Sequence, residues 1–413
     1  MRPLPRQKIY KIYFLDFIFD LFTFNLKKIN KVKKLENKIL NLTGSKYGLA
    51  LNRGRLGAFL AIKSIVTSQK NKIILSPFTV FDVINMVICA GGVPIFADVD
   101  ERTITINIES IKTCYTPDVA VILITHNYQI NKDIDEIIKF KNEKNIFLIE
   151  DCAISFGTKY NDKFIGTLGD ISFYSFGIFK FVSSLNGGFI LTNNVNCFNI
   201  FKKIIGTFAN PSILTLFKNF FKATFITLFT QRSFFKYFVS HIIRLGYLHN
   251  IKFINNFTKN DPKVTKIEFL PKNYKIKISN HQALTIIKQL VNYSINHNIR
   301  QRNAEIYYNG LKDLKEISIP IYSNNTSDGW INFPIQYENR DDLLNYLFKN
   351  NRDLAKYFYR NCNDLEIFVN YQRNLPIIKN VVKNLIILPT YPSYDIKQVY
   401  KNISLINKYF EYL

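Results

Sequence analysis

Between residues 47 and 192, short β-branched runs alternate with helical stretches, and this alternation restricts the fold more than any other feature of the chain. Strands buried on both faces read as continuous apolar runs, and parallel strands need a helix to cross between them. The pattern therefore predicts an α/β fold with a mostly parallel sheet covered by helices. The expected strands are Lys72–Leu75, Val93–Phe96, Val119–Thr125, 145–150, 171–176 and Gly188–Thr192. Helices are expected at 81–90, stopped by Gly91-Gly92, and at Ile134–Glu143. Beyond these, Ser279 and Gln282 have the spacing of a capping box, which satisfies two free amide donors. A long helix is expected from there to about Leu311. Short strands such as 330–335 then mix with helices at Arg340–Lys349 and 396–409, which reads as a smaller α+β C-terminal domain. The expected units are an N-terminal helical segment (1–45), a large α/β domain (46–203), an aromatic, basic helical insertion (204–265) and the C-terminal part (266–413).

Composition narrows the possible functions. A chain of 413 residues with 47% hydrophobic content can bury one large core and one smaller. Its five cysteines have no paired close spacing, which argues against a disulfide framework or a zinc ribbon and fits a reducing cytoplasm. No metal site is expected. The net charge of +24 comes from lysines spread through every region, with no recognition motif beside them. That is a compositional bias, and nucleic acid is not an expected partner. The apolar run at 12–26 is interrupted by Asp16 and Asp20, unlike a secretory signal, and is expected to be a helix packed on the body, with a membrane-surface helix as the alternative.

The segment 204–257 is rich in aromatic residues and carries Lys218, Lys222, Arg232 and Lys236. Taken as one helix at about 100° per residue, it puts these four near one face, with Phe225 among them. No uncharged apolar stretch in it reaches the roughly 20 residues that span a bilayer. It is expected to pack on the body or on a second subunit, with peripheral membrane contact as the alternative.

Ligands of open parallel sheets bind beyond the carboxyl ends of the strands, which makes Ser76, His126, Asp151 and the run 175–180 the candidate residues. Asp151 follows an apolar run, an expensive place for a charge without a cationic partner such as a protonated pyridine nitrogen. Lys180 follows Gly177-Ile178-Phe179, surroundings that disfavour its ammonium form and free the amine for Schiff-base chemistry. Ser175 could hold a phosphate oxygen. Gly54 and Arg55 precede a helical run, where glycine, free amides and a guanidinium suit an anion. Each has an ordinary alternative: a helix cap for Asp151 or Glu150, a solvated lysine, a plain turn.

In this order the residues resemble the DegT/DnrJ/EryC1/StrS family of pyridoxal-phosphate-dependent sugar aminotransferases, of the aspartate aminotransferase fold (fold type I). Ile149-Glu150-Asp151-Cys152-Ala153 resembles the family's Glu-Asp-Ala-Ala segment. Gly169-Asp170-Ile171, Ser175-Phe176 and Lys180 resemble its Gly-Asp stretch, serine and cofactor lysine. Thr125-His126-Asn127-Tyr128 and Leu388-Pro389-Thr390-Tyr391-Pro392 match two further segments. The resemblance implies pyridoxal 5'-phosphate held by Lys180, with Asp151 on the pyridine nitrogen, Ser175, Gly54 and Arg55 at the phosphate, and His126 nearby. It further implies an amino-acid donor, glutamate, a nucleotide-linked keto-sugar acceptor, and a homodimer. Related sugar dehydratases carry histidine in place of the lysine, so Lys180 points to transamination. Departures stand at Val80, Ile154, Leu185-Asn186 and 275–277. They leave a second reading, a catalytically degenerate member acting as a binding or regulatory module.

Overall fold

The computed structural model describes residues 30–411, apart from 179, 250, 252–263, 323–325, 353 and 357–358. The run at 12–26 lies outside the described residues. In chain order the first ten strands are β1 (Tyr47–Leu51), β2 (Lys72–Leu75), β3 (Phe78–Thr79), β4 (Val93–Phe96), β5 (Val119–Thr125), β6 (Phe147–Asp151), β7 (Lys159–Tyr160), β8 (Lys163–Phe164), β9 (Ile171–Ser175) and β10 (Gly188–Thr192). Seven of them form one sheet in the order β1-β10-β9-β6-β5-β2-β4. Only β10 opposes its neighbours; the other pairings are parallel. Strand β5 is buried along its whole length, which is why its sequence shows no polar alternation.

The sequence did not point to β1, a half-buried partner for β10 at the sheet edge. The strand expected at 145–150 begins later, because Asn145 turns the chain with φ +51°. It also ends later, so Asp151 is the last residue of β6. Gly91, with φ +95°, ends the helix Phe81–Cys89.

The long helix expected from 279 to 311 is two helices, Asn280–Gln289 and Tyr293–Leu311, parted at 290–292. Its start is as expected, with Ser279 and Gln282 closing a full capping box. The first helix packs on Lys31–Thr43, where Asn280 Oδ1 accepts from Lys31 N, and gives Ala283 and Ile286 to the larger core. The second gives Ala304, Tyr307 and Leu311 to the smaller core. The break therefore turns the chain from one core to the other.

Four short strands follow: β11 (Thr326–Ser327), β12 (Asn332–Gln336), β13 (Arg360–Asn361) and β14 (Leu385–Pro389). The β12–β14 pair, with Arg340–Lys349 and Ile396–Glu411, frames the smaller core. β13 instead pairs with β3 beside the main sheet, and Cys362, Phe368 and Ile378 enter the larger core. The aromatic segment is not one helix. It comprises Ile213–Phe229, a short turn Arg232–Phe234, a π-helical turn Phe235–Val239 and the helix Ser240–Leu248. Its two arms meet at 57°, so the single helical phase assumed for its charges does not hold.

Candidate active site

Three stretches of backbone meet at the carboxyl edge of the sheet: Gly54 at the start of the helix Arg55–Lys63, Ser175 at the end of β9 and Gly188 at the start of β10. A Cβ on Gly54 would lie 2.6 Å from the Ser175 Cβ and 2.9 Å from its Oγ, and one on Gly188 would lie 2.5 Å from the Gly54 Cα. Neither position admits a side chain without moving backbone. The nest brings a hydroxyl against the first turn of a helix, whose leading amides lack intrahelical acceptors. Ser175 Oγ accepts from the Gly177 amide at 3.3 Å.

Beside this nest, Asp151 ends β6 between Thr125 and Phe173 of the flanking strands. It is 2% exposed. Its Oδ1 accepts from the Ala153 amide at 3.0 Å, and among the described residues its other oxygen has no hydrogen bond. Burial pushes this carboxyl up to about 6, against the opposing pull of the Ala153 amide, Lys180 and His126. Lys180 experiences the converse. Burial brings its ammonium down to about 8, partly countered by Asp151, while Arg55 reinforces the drop. The Lys180 Nζ also lies 6.0 Å from the centre of the Tyr359 ring.

Not every candidate faces this crevice. Arg55 starts the helix, but its guanidinium is taken up by an ion pair with Asp82 and a 3.2 Å bond to the Tyr274 hydroxyl. His126 is fully buried; its Nε2 is 3.1 Å from Glu150 Oε2 and its Nδ1 is 3.5 Å from the Asn131 amide. Both ring nitrogens are thus engaged away from Asp151. Ser76 Oγ accepts from the Phe78 amide and shapes a turn. Glu150 caps no helix: it takes the amides of Gly166, Leu168 and Gly169 at 2.8, 2.8 and 2.6 Å, in addition to His126.

Sequence reasoning missed Tyr359 and Gly188. Tyr359 reaches the crevice because β13 pairs with β3, and its ring stacks edge-on with Phe78 at 5.7 Å. No local signal could announce a contact across so much chain. Gly188 was legible only as the first residue of the expected strand Gly188–Thr192. At the departures, Ile154 is buried and Leu185 adopts a left-handed backbone with φ +68°. Lys275 and Lys277 bracket a backbone bridge to Ala209. A small cavity of about 20 Å³ lies next to the site rather than in it, lined by Ser183–Leu185, by Leu216, Phe220 and Ala223 of the helix Ile213–Phe229, and by Gln282 and Thr285.

These residues fit pyridoxal 5'-phosphate. The cofactor requires an amine whose ammonium form is disfavoured, an acid with a free oxygen for its pyridine nitrogen, and an anion cradle closed to side chains. Lys180, Asp151 and the Gly54–Ser175–Gly188 nest have the properties these three parts would need.

The sequence profile of the DegT/DnrJ/EryC1/StrS aminotransferase family matches residues 24–221 and 248–406. GDP-perosamine synthase of Escherichia coli O157:H7 is 32% identical over 167 residues, covering 40% of this chain and 46% of that protein. The chain thus spans less than half the length of the curated relatives it matches. Over the whole chain the fold is that of solved structures. An aminotransferase from Psychrobacter cryohalolentis superposes with TM-score 0.78 at 17% identity, covering 99% of each chain. The E. coli GDP-4-keto-6-deoxy-D-mannose-3-dehydratase with bound hydrated PLP superposes with TM-score 0.75 at 18% identity, covering 98% and 99%. A seven-stranded, mostly parallel sheet, these likenesses and a profile match across most of the sequence lead to one conclusion: the chain belongs to the DegT/DnrJ/EryC1/StrS aminotransferase family, a family of pyridoxal-phosphate-dependent enzymes.

Proposed function

We propose that this chain is a pyridoxal-phosphate-dependent aminotransferase that moves an amino group from an amino acid, glutamate by family likeness, to a keto-sugar carried on a nucleotide. It would work in the cytoplasm as a homodimer, in the assembly of a polysaccharide or glycoconjugate. The observation that carries this reading is the meeting of Lys180 and Asp151, with oppositely displaced titrations, beside a close approach of glycine and serine backbone at a helix start.

The bound cofactor supplies an electron sink that stabilises negative charge developing at the substrate carbon. Lys180 presents an amine that is partly neutral near neutral pH, able to attach the cofactor covalently and then to carry a proton between neighbouring carbons. Asp151 offers its free carboxylate oxygen to the pyridine nitrogen, holding a proton there. Ser175 Oγ and the leading amides of the helix Arg55–Lys63 take the phosphate. Arg55 contributes through its amide and its charge, since Asp82 and Tyr274 occupy its guanidinium. Tyr359 covers the amine and limits water.

The test is an absorbance spectrum of the purified chain with pyridoxal phosphate, comparing wild type with Lys180→Ala before and after borohydride. A visible band that borohydride makes permanent in wild type, and not in the variant, is the expected result. If neither folded protein takes up the cofactor, the degenerate binding module becomes the leading account. Amination of a nucleotide-linked keto-sugar in the presence of glutamate then tests the substrates.

A further inference from the structure

The helix Ile213–Phe229 turns its apolar side away from the protein. Ile213, Leu214, Phe217, Phe221, Phe225 and Leu228 are all exposed, Phe221 by 66% and Leu214 by 63%, while Leu216 and Ala223 face inward. At about 100° per residue the six exposed side chains fall within an arc of about 120°. Lys218 and Lys222 follow at the margin of that arc, where long side chains can lie along apolar surface and keep their charge in water. The second arm repeats the arrangement, with Tyr237, Phe238, Ile242 and Leu245 each about half exposed. No Asp or Glu occurs from residue 171 to 260, whereas the two arms carry Lys218, Lys222, Arg232, Lys236 and Arg244. The family profile passes over 222–247, so the second half of this helix and nearly all of the second arm lie outside the part of the chain the profile matches.

We infer that these two helices dock this protein on the surface of an anionic lipid bilayer. An outward apolar stripe edged by cations is the signature of an interfacial helix. A second copy of the chain fits less well, because a two-fold interface sets the same patch against itself. Cations would meet cations with no acid in the patch to pair them. Crossing the bilayer fits less well too. Among the described residues no single helix is long and apolar enough, and the two arms bend by 57° at a break followed by Arg232. This inference stands apart from the aminotransferase reading.

The test is co-sedimentation of the full chain with vesicles of phosphatidylcholine alone or with phosphatidylglycerol added, at low and high salt. Binding is expected with phosphatidylglycerol and is weakened by salt. Lys218→Gln with Lys222→Gln should lower the affinity about thirty-fold, at about 1 kcal/mol for each cation near the surface. Phe221→Ser with Phe225→Ser should lower it about a hundred-fold or more, from the apolar area each ring no longer buries. All four side chains are exposed, and an unchanged circular dichroism spectrum verifies that the variants fold. Absence of binding to phosphatidylglycerol vesicles overturns the inference, as does binding indifferent to both double variants. Resistance to alkaline carbonate extraction would show a crossing segment instead. A dimer that the phenylalanine variants convert to monomer would show that a second copy covers the stripe.

Discussion

Replacing Asp151 with asparagine should make the cofactor-free protein more stable while removing what the carboxylate is there to do. Asparagine keeps the size of the side chain and the Oδ1 that accepts from the Ala153 amide. What disappears is a buried charge. In the folded protein Asp151 titrates at about 6 instead of its ordinary 3.8, which corresponds to a cost of about 3 kcal/mol when it is ionised. That displacement already includes the attraction of Lys180, so about 3 kcal/mol of net gain is expected. With an unfolding entropy of about 2.1 cal/mol/K per residue over roughly 400 residues, the melting temperature should rise by about 3–4 °C.

The pH dependence identifies the cause. Below about pH 4 the carboxyl is protonated in both folded and unfolded states, and Asp151 costs nothing. Between about 4 and 6 the unfolded chain ionises while the folded one keeps its proton, so the cost accumulates; above about 6 it is complete. Scanning calorimetry of wild type and Asp151→Asn at pH 7.5 and pH 4.5 should therefore show an advantage for the variant that shrinks with acid. Added pyridoxal phosphate should reverse the order, because ligand binding to the folded state stabilises it in proportion to affinity. An Asp151→Asn protein no more stable than wild type at pH 7.5, or one equally favoured at both pH values, would refute the reasoning.

Two further outcomes follow from the same geometry. Attachment of pyridoxal phosphate should quicken as pH rises through about 8, where Lys180 loses its proton; a stopped-flow rate flat between pH 7 and 9 would contradict this. Gly54→Ala places a Cβ 2.6 Å from Ser175 and forces backbone to move. It should cost about 1–3 kcal/mol of stability and weaken cofactor affinity at least about tenfold, measured by thermal melting and by spectroscopic titration.

Much of this site is visible in the sequence because its parts sit where strands end. Asp151 and Ser175 close apolar runs, and Lys180 follows one of them, so the rule that ligands gather at carboxyl edges singled out all three as candidates. The strands themselves were legible because β5 is nearly all apolar and β6 opens on three apolar residues, Phe147, Leu148 and Ile149. What local sequence could not show was contact across long stretches of chain. Tyr359 depends on the β13–β3 pairing, and Gly188 on the close approach of two strands and a helix start. Arg55 was legible as a cation beside an anion site, but its capture by Asp82 and Tyr274 depends on packing of separate helices and loops. The break at 290–292 was hidden by an unbroken run of helix-compatible residues, and only the change from one core to the other accounts for it.

The neighbouring carboxylates Glu150 and Asp151 show how a strand end separates structure from chemistry. Successive side chains of a strand face opposite sides, so one acid is turned from the crevice whenever the other faces it. Glu150, at zero exposure, receives three loop amides and faces His126, and these bonds fix the turn 166–169 below the site. Asp151 receives one amide and keeps an oxygen for a ligand. Glu150→Gln should therefore behave as the reverse of Asp151→Asn. Its amide nitrogen must face a backbone or imidazole N–H, a donor set against a donor, and stability should fall by about 3 kcal/mol. Denaturant melts of the two variants in the same buffer decide between this assignment and the opposite one, in which Asp151 is the structural acid and Glu150 serves the cofactor. If Asp151→Asn were the destabilised protein and Glu150→Gln the one that lost pyridoxal phosphate while melting normally, the roles given to the two residues would have to be exchanged.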